Sequence, residues 1–292
     1  LRPIIHKVVK ANNLEKIDQM NKKYDGESGL KFVEDYCGYQ AFVMYKWLMN
    51  KYKKIMNTHV YSIEVFLKKD GKIDYSKMKR CLTTRNRFCF KRGLINFAKY
   101  ANHAKRTGKK YYISPLSLSY SGKKIGHQNA MIYDIRKNKM YRFEPHGWDT
   151  SASSQSLDTY LANKIKESYT LFGIKNEMPE YVPTNTVMPR FGPQTFDSSS
   201  GKGRCVIWTQ AFLHYRLQYN NLSEAQIFRF LGLKKYTGMK DLTKEKITLI
   251  EKDVARFIKT YTKYLQTQKP VMDLYNTRLF RDWMTHQLSP LV

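Results

Sequence analysis

Two hydrophobic periods alternate along this chain. Residues 4–24, and the run from about Cys37 to Met56, place apolar side chains three and four positions apart. In the second run Phe42, Tyr45, Leu48 and Met49 share one face, so both stretches are expected to be helices. The period shortens in VYSIEVFLKKDGKIDY (Val60 to Tyr75), which reads as a strand, an Asp-Gly turn and a second strand. LINFAKYANHAKR returns to a short helix. YYISPLSLSYS, GHQNAMIYDIRKN and KMYRFEP then read as three strands, the last two joined by a tight turn at Lys137-Asn138. Leu157 to Phe172 is an amphipathic helix following a Ser-rich loop. A loop punctuated by Pro179, Pro183 and Pro189 leads through FGPQTFDSSSGKG into a helix opening at Cys205. Beyond it, Ser223 to Gln226 forms a capping box, and Thr243 to Gln266 is a long amphipathic helix with Ile247, Ile250, Val254, Phe257, Ile258 and Tyr261 on one side. A final helix carries Leu279 and Trp283. There is no internal repeat and no clean linker. The expected fold is α+β, a small mixed sheet flanked by helices, with a mostly helical, basic region over 1–110, a core over 111–220 and a helical region over 221–292.

Charge changes this picture more than composition does. The 292 residues are 42% hydrophobic, enough for a sizeable core. Lys and Arg total 52 against 24 Asp and Glu, a net charge of +28 that predicts attraction to DNA or another polyanion. The excess concentrates between Lys51 and Lys110, with 18 basic and 3 acidic residues. Inside that stretch Lys77, Lys79, Arg80, Arg85, Arg87, Phe88, Lys91 and Arg92 interleave cations with aromatic rings, the chemistry of phosphate neutralisation and base stacking. The plainer account of these residues is a solvated basic face. No apolar run reaches the ~20 residues of a membrane span. The start, LRPIIHKVVK, lacks a signal-type apolar block and a Met, as a soluble, non-secreted, trimmed chain would. Cys37, Cys81, Cys89 and Cys205 fit no zinc spacing, and the seven histidines are scattered, so neither a structural metal nor a required cofactor is expected.

The candidate chemistry begins at Cys205. It stands at the first turn of an amphipathic helix, where the positive end of the helix dipole favours a thiolate, behind Gly201 and Gly203, whose backbone admits close approach. A nucleophilic cysteine needs a base and a group to orient that base. His127 opens an apolar strand, and Glu144 ends the next one, seventeen positions later. An antiparallel pair turning at 137–138 makes the two neighbours, as a carboxylate–imidazole pair requires. Gln194, on the loop leading to Cys205, is placed to donate to an oxyanion.

The order His, Glu, Gln, Cys in GHQNAMIYD…RFEPHGW…FGPQ…GRCVIWTQAFLHYRL resembles the adenovirus-protease and SUMO-protease clan of cysteine peptidases, and more closely a group of giant DNA virus proteins of that type. The resemblance spans about Tyr111 to Asn220. It implies a papain-like core in which Cys205 is nucleophile, His127 base, Glu144 orienting acid and Gln194 oxyanion donor. It also implies a viral enzyme of the virion or the host cytoplasm, acting on virion precursor polypeptides or ubiquitin-like conjugates, with other virion proteins as partners and DNA as an activator. Gln194 lies further ahead of the cysteine than in the family, making Asp197 to Lys202 an insertion, and Val206 stands where the family commonly has Gly.

Each of these residues also has an ordinary role. Cys205 alone suits a small core hydrophobe, His127 a strand cap, Glu144 a surface partner of Arg142 or Lys139, and Gln194 a turn beside Pro193. Trp208, Phe212 and Tyr215 read as helix core. A rival site takes Cys37, at the head of another apolar helix, with His127 and then Asn129, Asn138 or Glu144. In either site His146, in EPHG, is the spare base if His127 proves buried. A rival of another class is a catalytically inactive virion or nucleoid component, a minor capsid or core protein, that binds packaged DNA on a protease-like fold.

Overall fold

The computed structural model describes residue 45 and residues 47–58, 63–77, 94–120, 126–148, 155–190, 192, 194, 204–224 and 226–227. Its centre is a six-stranded mixed sheet. The strands are β1 (Met56–Thr58), β2 (Ile63–Leu67), β3 (Tyr111–Tyr120), β4 (Gly126–Asp134), β5 (Lys139–Phe143) and β6 (Glu180–Tyr181). β3, β4 and β5 form an antiparallel meander, with Leu118 opposite His127 and Ala130 opposite Phe143. β1 and β2 both lie parallel to β3 on its outer edge, β1 against Tyr111–Ile113 and β2 against Leu116–Tyr120. Pro115 falls in the gap between them; having no N–H to donate, it suits a break in an edge ladder. β6 closes the other edge parallel to β5.

Helices cover both faces: α1 (Phe97–Arg106), α2 (Gln155–Leu171), the short α3 (Thr184–Val187) and α4 (Arg204–Gln218). On one face Leu116, Leu118, Met131, Tyr133 and Met140 join Phe97, Ala101, Leu157, Leu161 and Ile165 of α1 and α2 in a single apolar core. Ser168 of α2 locks that layer, accepting from Ala98 N–H, a first-turn donor of α1, and donating to Ile95 O. The opposite face belongs to α4, where Phe212 stacks on Phe143 with centroids 4.1 Å apart. α4 runs beside β4 in the same direction. Thr209 Oγ1 donates to Gln128 O near the start of the strand, and Arg216 reaches Asp134 at its end, 3.2 Å away.

The chain is thus mixed α+β, with a mixed sheet and several helices. The sheet reaches back across residue 110, because β1, β2 and α1 precede it. The helix read as far as Met56 ends sooner: residues 47–52 are helical, a turn follows, and Met56 opens β1. The Asp-Gly turn forms, with Gly71 at φ 80°, but the strand after it amounts to one bridge, Leu67 to Ile73. The proline-punctuated loop holds β6 and α3. The turn at 137–138 is present, with Asn138 at φ 52°, and so is the capping box, in which Ser223 and Gln226 exchange backbone-to-side-chain bonds of 2.7 and 3.3 Å. The helices read at 4–24, at 243–266 and around Leu279 and Trp283 lie outside the described residues.

Candidate active site

β4 brings His127 to the end of the sheet, and the β4–β5 register brings Glu144 to it. Ala130 pairs with Phe143, so side-chain alternation places Glu144 across from Asn129, on the face His127 shares. His127 Nε2–H donates to Glu144 Oε1 at 2.5 Å, and Glu144 is fully buried. α4 supplies the third member. Cys205 is 7% exposed and faces the His127 side chain and the Gln128 backbone N–H, both of which favour its thiolate. With Nε2 engaged by Glu144, Nδ1 is the ring nitrogen left for the thiol. Three elements therefore converge on one buried line, Cys205–His127–Glu144.

The electrostatics follow from the geometry. Burial opposes charge on His127, but the Glu144 carboxylate and the bonds to Cys205 and Glu144 outweigh it, holding the imidazole well above its usual range. Burial also resists a Cys205 thiolate. The His127 bond and charge, with the Gln128 N–H, prevail over it and over the Glu144 charge, and the thiol sits below its ordinary value. Glu144 is desolvated too, yet His127, Arg142 and the His146 N–H keep it below the usual carboxylate range. The arrangement favours a thiolate–imidazolium pair over thiol and neutral imidazole.

His146 flanks this line without replacing His127. Its ring centroid lies 5.1 Å from that of His127, its N–H donates to Glu144 Oε1 at 3.0 Å, and burial and the His127 charge hold it below the usual imidazole range. Gln194 is docked beside the site through its backbone, N–H to Pro145 O at 2.9 Å. Its side-chain Oε1 is buried and has no hydrogen-bond partner among the described residues. Gly192 makes that docking possible. Its N–H donates to His146 O at 2.7 Å, and a Cβ there would meet Pro145 O at 2.3 Å. Val206 is buried beside the thiol.

Arg142 is not the surface partner of Glu144 that the sequence suggests. It is fully buried, with Nη1 on Glu144 Oε2 at 3.2 Å and on Asn129 Oδ1 at 2.7 Å, and Nε on Asp158 Oδ1 at 3.1 Å. Lys139 pairs with Glu180 instead. Asn129 is thereby engaged with Arg142, and Asn138 accepts from Tyr133 OH in the β4–β5 turn. Asp158 and Gln128 escaped the sequence reading altogether. Asp158 is an acidic residue on the first turn of a helix, an ordinary surface position by pattern, and Gln128 acts through its backbone, which sequence does not advertise. Trp208 and Phe212 are core, whereas Tyr215 is half-exposed. Of the basic patch, Lys77 is half-buried with its N–H on Asp74 Oδ1 at 3.2 Å. Lys79, Arg80, Arg85, Arg87, Phe88, Lys91 and Arg92 lie outside the described residues, as do Cys37, Cys81 and Cys89. Among the described residues no group of three or more His, Cys, Asp or Glu could hold a metal, and no helix is long and apolar enough to cross a membrane.

No family model matches the chain. It is 30% identical over 135 residues to a protein of Acanthamoeba polyphaga mimivirus named as an ankyrin repeat protein, a match covering 42% of this chain and 17% of that protein. The chain thus spans about one sixth of the length of the curated relative it is similar to.

Proposed function

We propose that this protein is a cysteine peptidase, or an isopeptidase acting on ubiquitin-like conjugates, with a papain-like core of the adenovirus-protease type. The observation that carries the reading is the buried Cys205–His127–Glu144 line, assembled from α4, β4 and the end of β5. The Cys205 thiolate attacks the substrate's peptide carbonyl carbon, and the carbonyl oxygen becomes an oxyanion. The Cys205 backbone N–H and the Gln194 amide are the groups assigned to it. The His127 imidazolium gives its proton to the leaving amine as the C–N bond breaks, leaving an acyl thioester. Neutral His127 then takes a proton from water, whose oxygen displaces the thiolate and releases a carboxylic acid. Glu144 holds the ring in the orientation both transfers need. Virion precursor polypeptides are the substrates that suit this reading, and the similarity to a mimivirus protein supports a viral setting. The charge of +28 supports DNA as partner and activator.

The test is labelling of the native protein with an electrophilic cysteine probe across pH, the modified residue being identified by mass spectrometry. Fast labelling of Cys205 at neutral pH, slowed by His127→Ala, is the expected result, with acceleration when DNA is added. Slow reaction of all four cysteines would sink the peptidase reading and favour a DNA-binding virion component, the account that the buried Val206 beside the thiol suits. Fast labelling of Cys37 would transfer the site to the other order.

A further inference from the structure

We propose that Arg142 is a positioning residue for this site, a buried guanidinium that fixes the Glu144 carboxylate on His127 by tying it to Asn129 of β4 and Asp158 of α2. The assignment of a reaction rests on the peptidase reading; the placement of Glu144 does not. Both carboxylate oxygens are held. Oε1 accepts from His127 Nε2 and from His146 N–H, and Oε2 accepts from Arg142 Nη1. Rotation of the carboxylate is therefore blocked from the far side. Arg142 is itself oriented by Asp158, a saturated acceptor: Oδ1 takes Arg142 Nε, Thr184 Oγ1 and Tyr181 OH, and Oδ2 takes Thr184 N–H. The planar fork of arginine is what lets one side chain span Asn129, Glu144 and Asp158; a lysine has a single point of attachment.

Stability alone does not account for this group. Burying an ion pair costs several kcal/mol of desolvation, and apolar replacements of similar volume are often neutral or stabilising. The charged and titratable groups facing one another here come from every neighbouring element: His127 on β4, Arg142 and Glu144 on β5 and its end, His146 on the following loop, Asp158 on α2, Tyr181 on β6 and Cys205 on α4.

The experiment compares the full-length protein with Arg142→Met and Arg142→Lys, following the His127 ring resonances by NMR across pH alongside the Cys205 labelling rate. The direction of the His127 shift decides. Removing a positive charge from an otherwise unchanged site would raise its titration point, whereas releasing Glu144 removes its counter-charge and lowers it. We expect Arg142→Met to lower it by about one unit or more and to slow labelling at neutral pH about tenfold, with Arg142→Lys in between. A higher or unchanged titration point with a wild-type labelling rate would overturn the proposal, even if the melting temperature fell. Should Arg142→Met fail to fold, Arg142→Lys carries the test, and wild-type behaviour in both readouts would overturn it. If wild-type Cys205 labels slowly, the peptidase reading fails, while the NMR titration still reads whether Arg142 places Glu144.

Discussion

At the scale of single residues, His127 and Cys205 are each desolvated enough to resist charge; Glu144 and Cys205 hold the imidazolium, and the imidazolium holds the thiolate against the repulsion of Glu144. Glu144→Gln separates these contributions. The amide keeps the shape and can still accept a hydrogen bond, but it offers no counter-charge to an imidazolium. Glu144 itself repels the thiolate, but loss of the imidazolium it supports is the larger effect, so the Cys205 pKa should climb back toward the ordinary thiol value. A plot of alkylation rate against pH should move its rising limb upward, with the rate at neutral pH falling by up to about 30- to 100-fold, the thiolate fraction left to an ordinary thiol. A profile superimposable on wild type would show that Glu144 does not govern the thiolate. Arg142 marks how far residues can be read in isolation. An arginine two positions before an acid on a strand is normally placed outside, facing solvent. Here Met140 to Phe143 are all buried, because α2 covers one face of β5 and α4 the other, and alternation loses its meaning.

Elements fared better than their edges. α1, α2, α4 and the meander β3–β4–β5 are legible because each has a sustained period and a recognisable break: Gly108 after α1, the Lys137-Asn138 turn, the Ser-rich approach to α2. β1, β6 and α3 are not, since three strand residues, two strand residues and a four-residue helix are too short to carry a period. The proximity of His127 and Glu144 was legible, being fixed by one turn and one register; the depth of Glu144 was not, because it depends on packing from both faces. The loop from 189 to 194 shows how a connection positions a site. Its backbone bonds to His146 O and Pro145 O, with Trp148 N–H on Pro189 O, zip it to the turn after Glu144. Gly192→Ala should unzip it, because the new Cβ would lie 2.5 Å from Gly147 N and 2.7 Å from His146 C. The expected cost is about 1–3 kcal/mol in urea denaturation, together with slower substrate cleavage under the proposed peptidase function. Wild-type stability and wild-type turnover would mean that this loop does not seat Gln194.

Across the whole molecule, the same ionisations that would serve chemistry make stability depend on pH. Glu144 is held below its unfolded-state value, so the native state binds fewer protons than the unfolded chain as the medium turns acid. Its contribution is complete above about pH 4.5 and drains away as pH falls through the depressed native value. Urea midpoints measured between pH 6 and pH 3 should decline, and less steeply in Glu144→Gln; parallel curves would mean that Glu144 contributes nothing to the acid limb. The two attachments of α4 to β4, Thr209 and Cys205 at Gln128 and Arg216 at Asp134, carry one more implication. A helix turns its side chains about 100° and advances about 1.5 Å with each residue. One amino acid inserted between Thr209 and Arg216 would set the two attachments out of phase. Either the arginine leaves Asp134 or the thiol swings away from the imidazole. Variants of this chain that differ in length should therefore keep the spacing of 205 to 216 and gain or lose residues in the connections, as a ruler is kept while the thread around it is cut to any length.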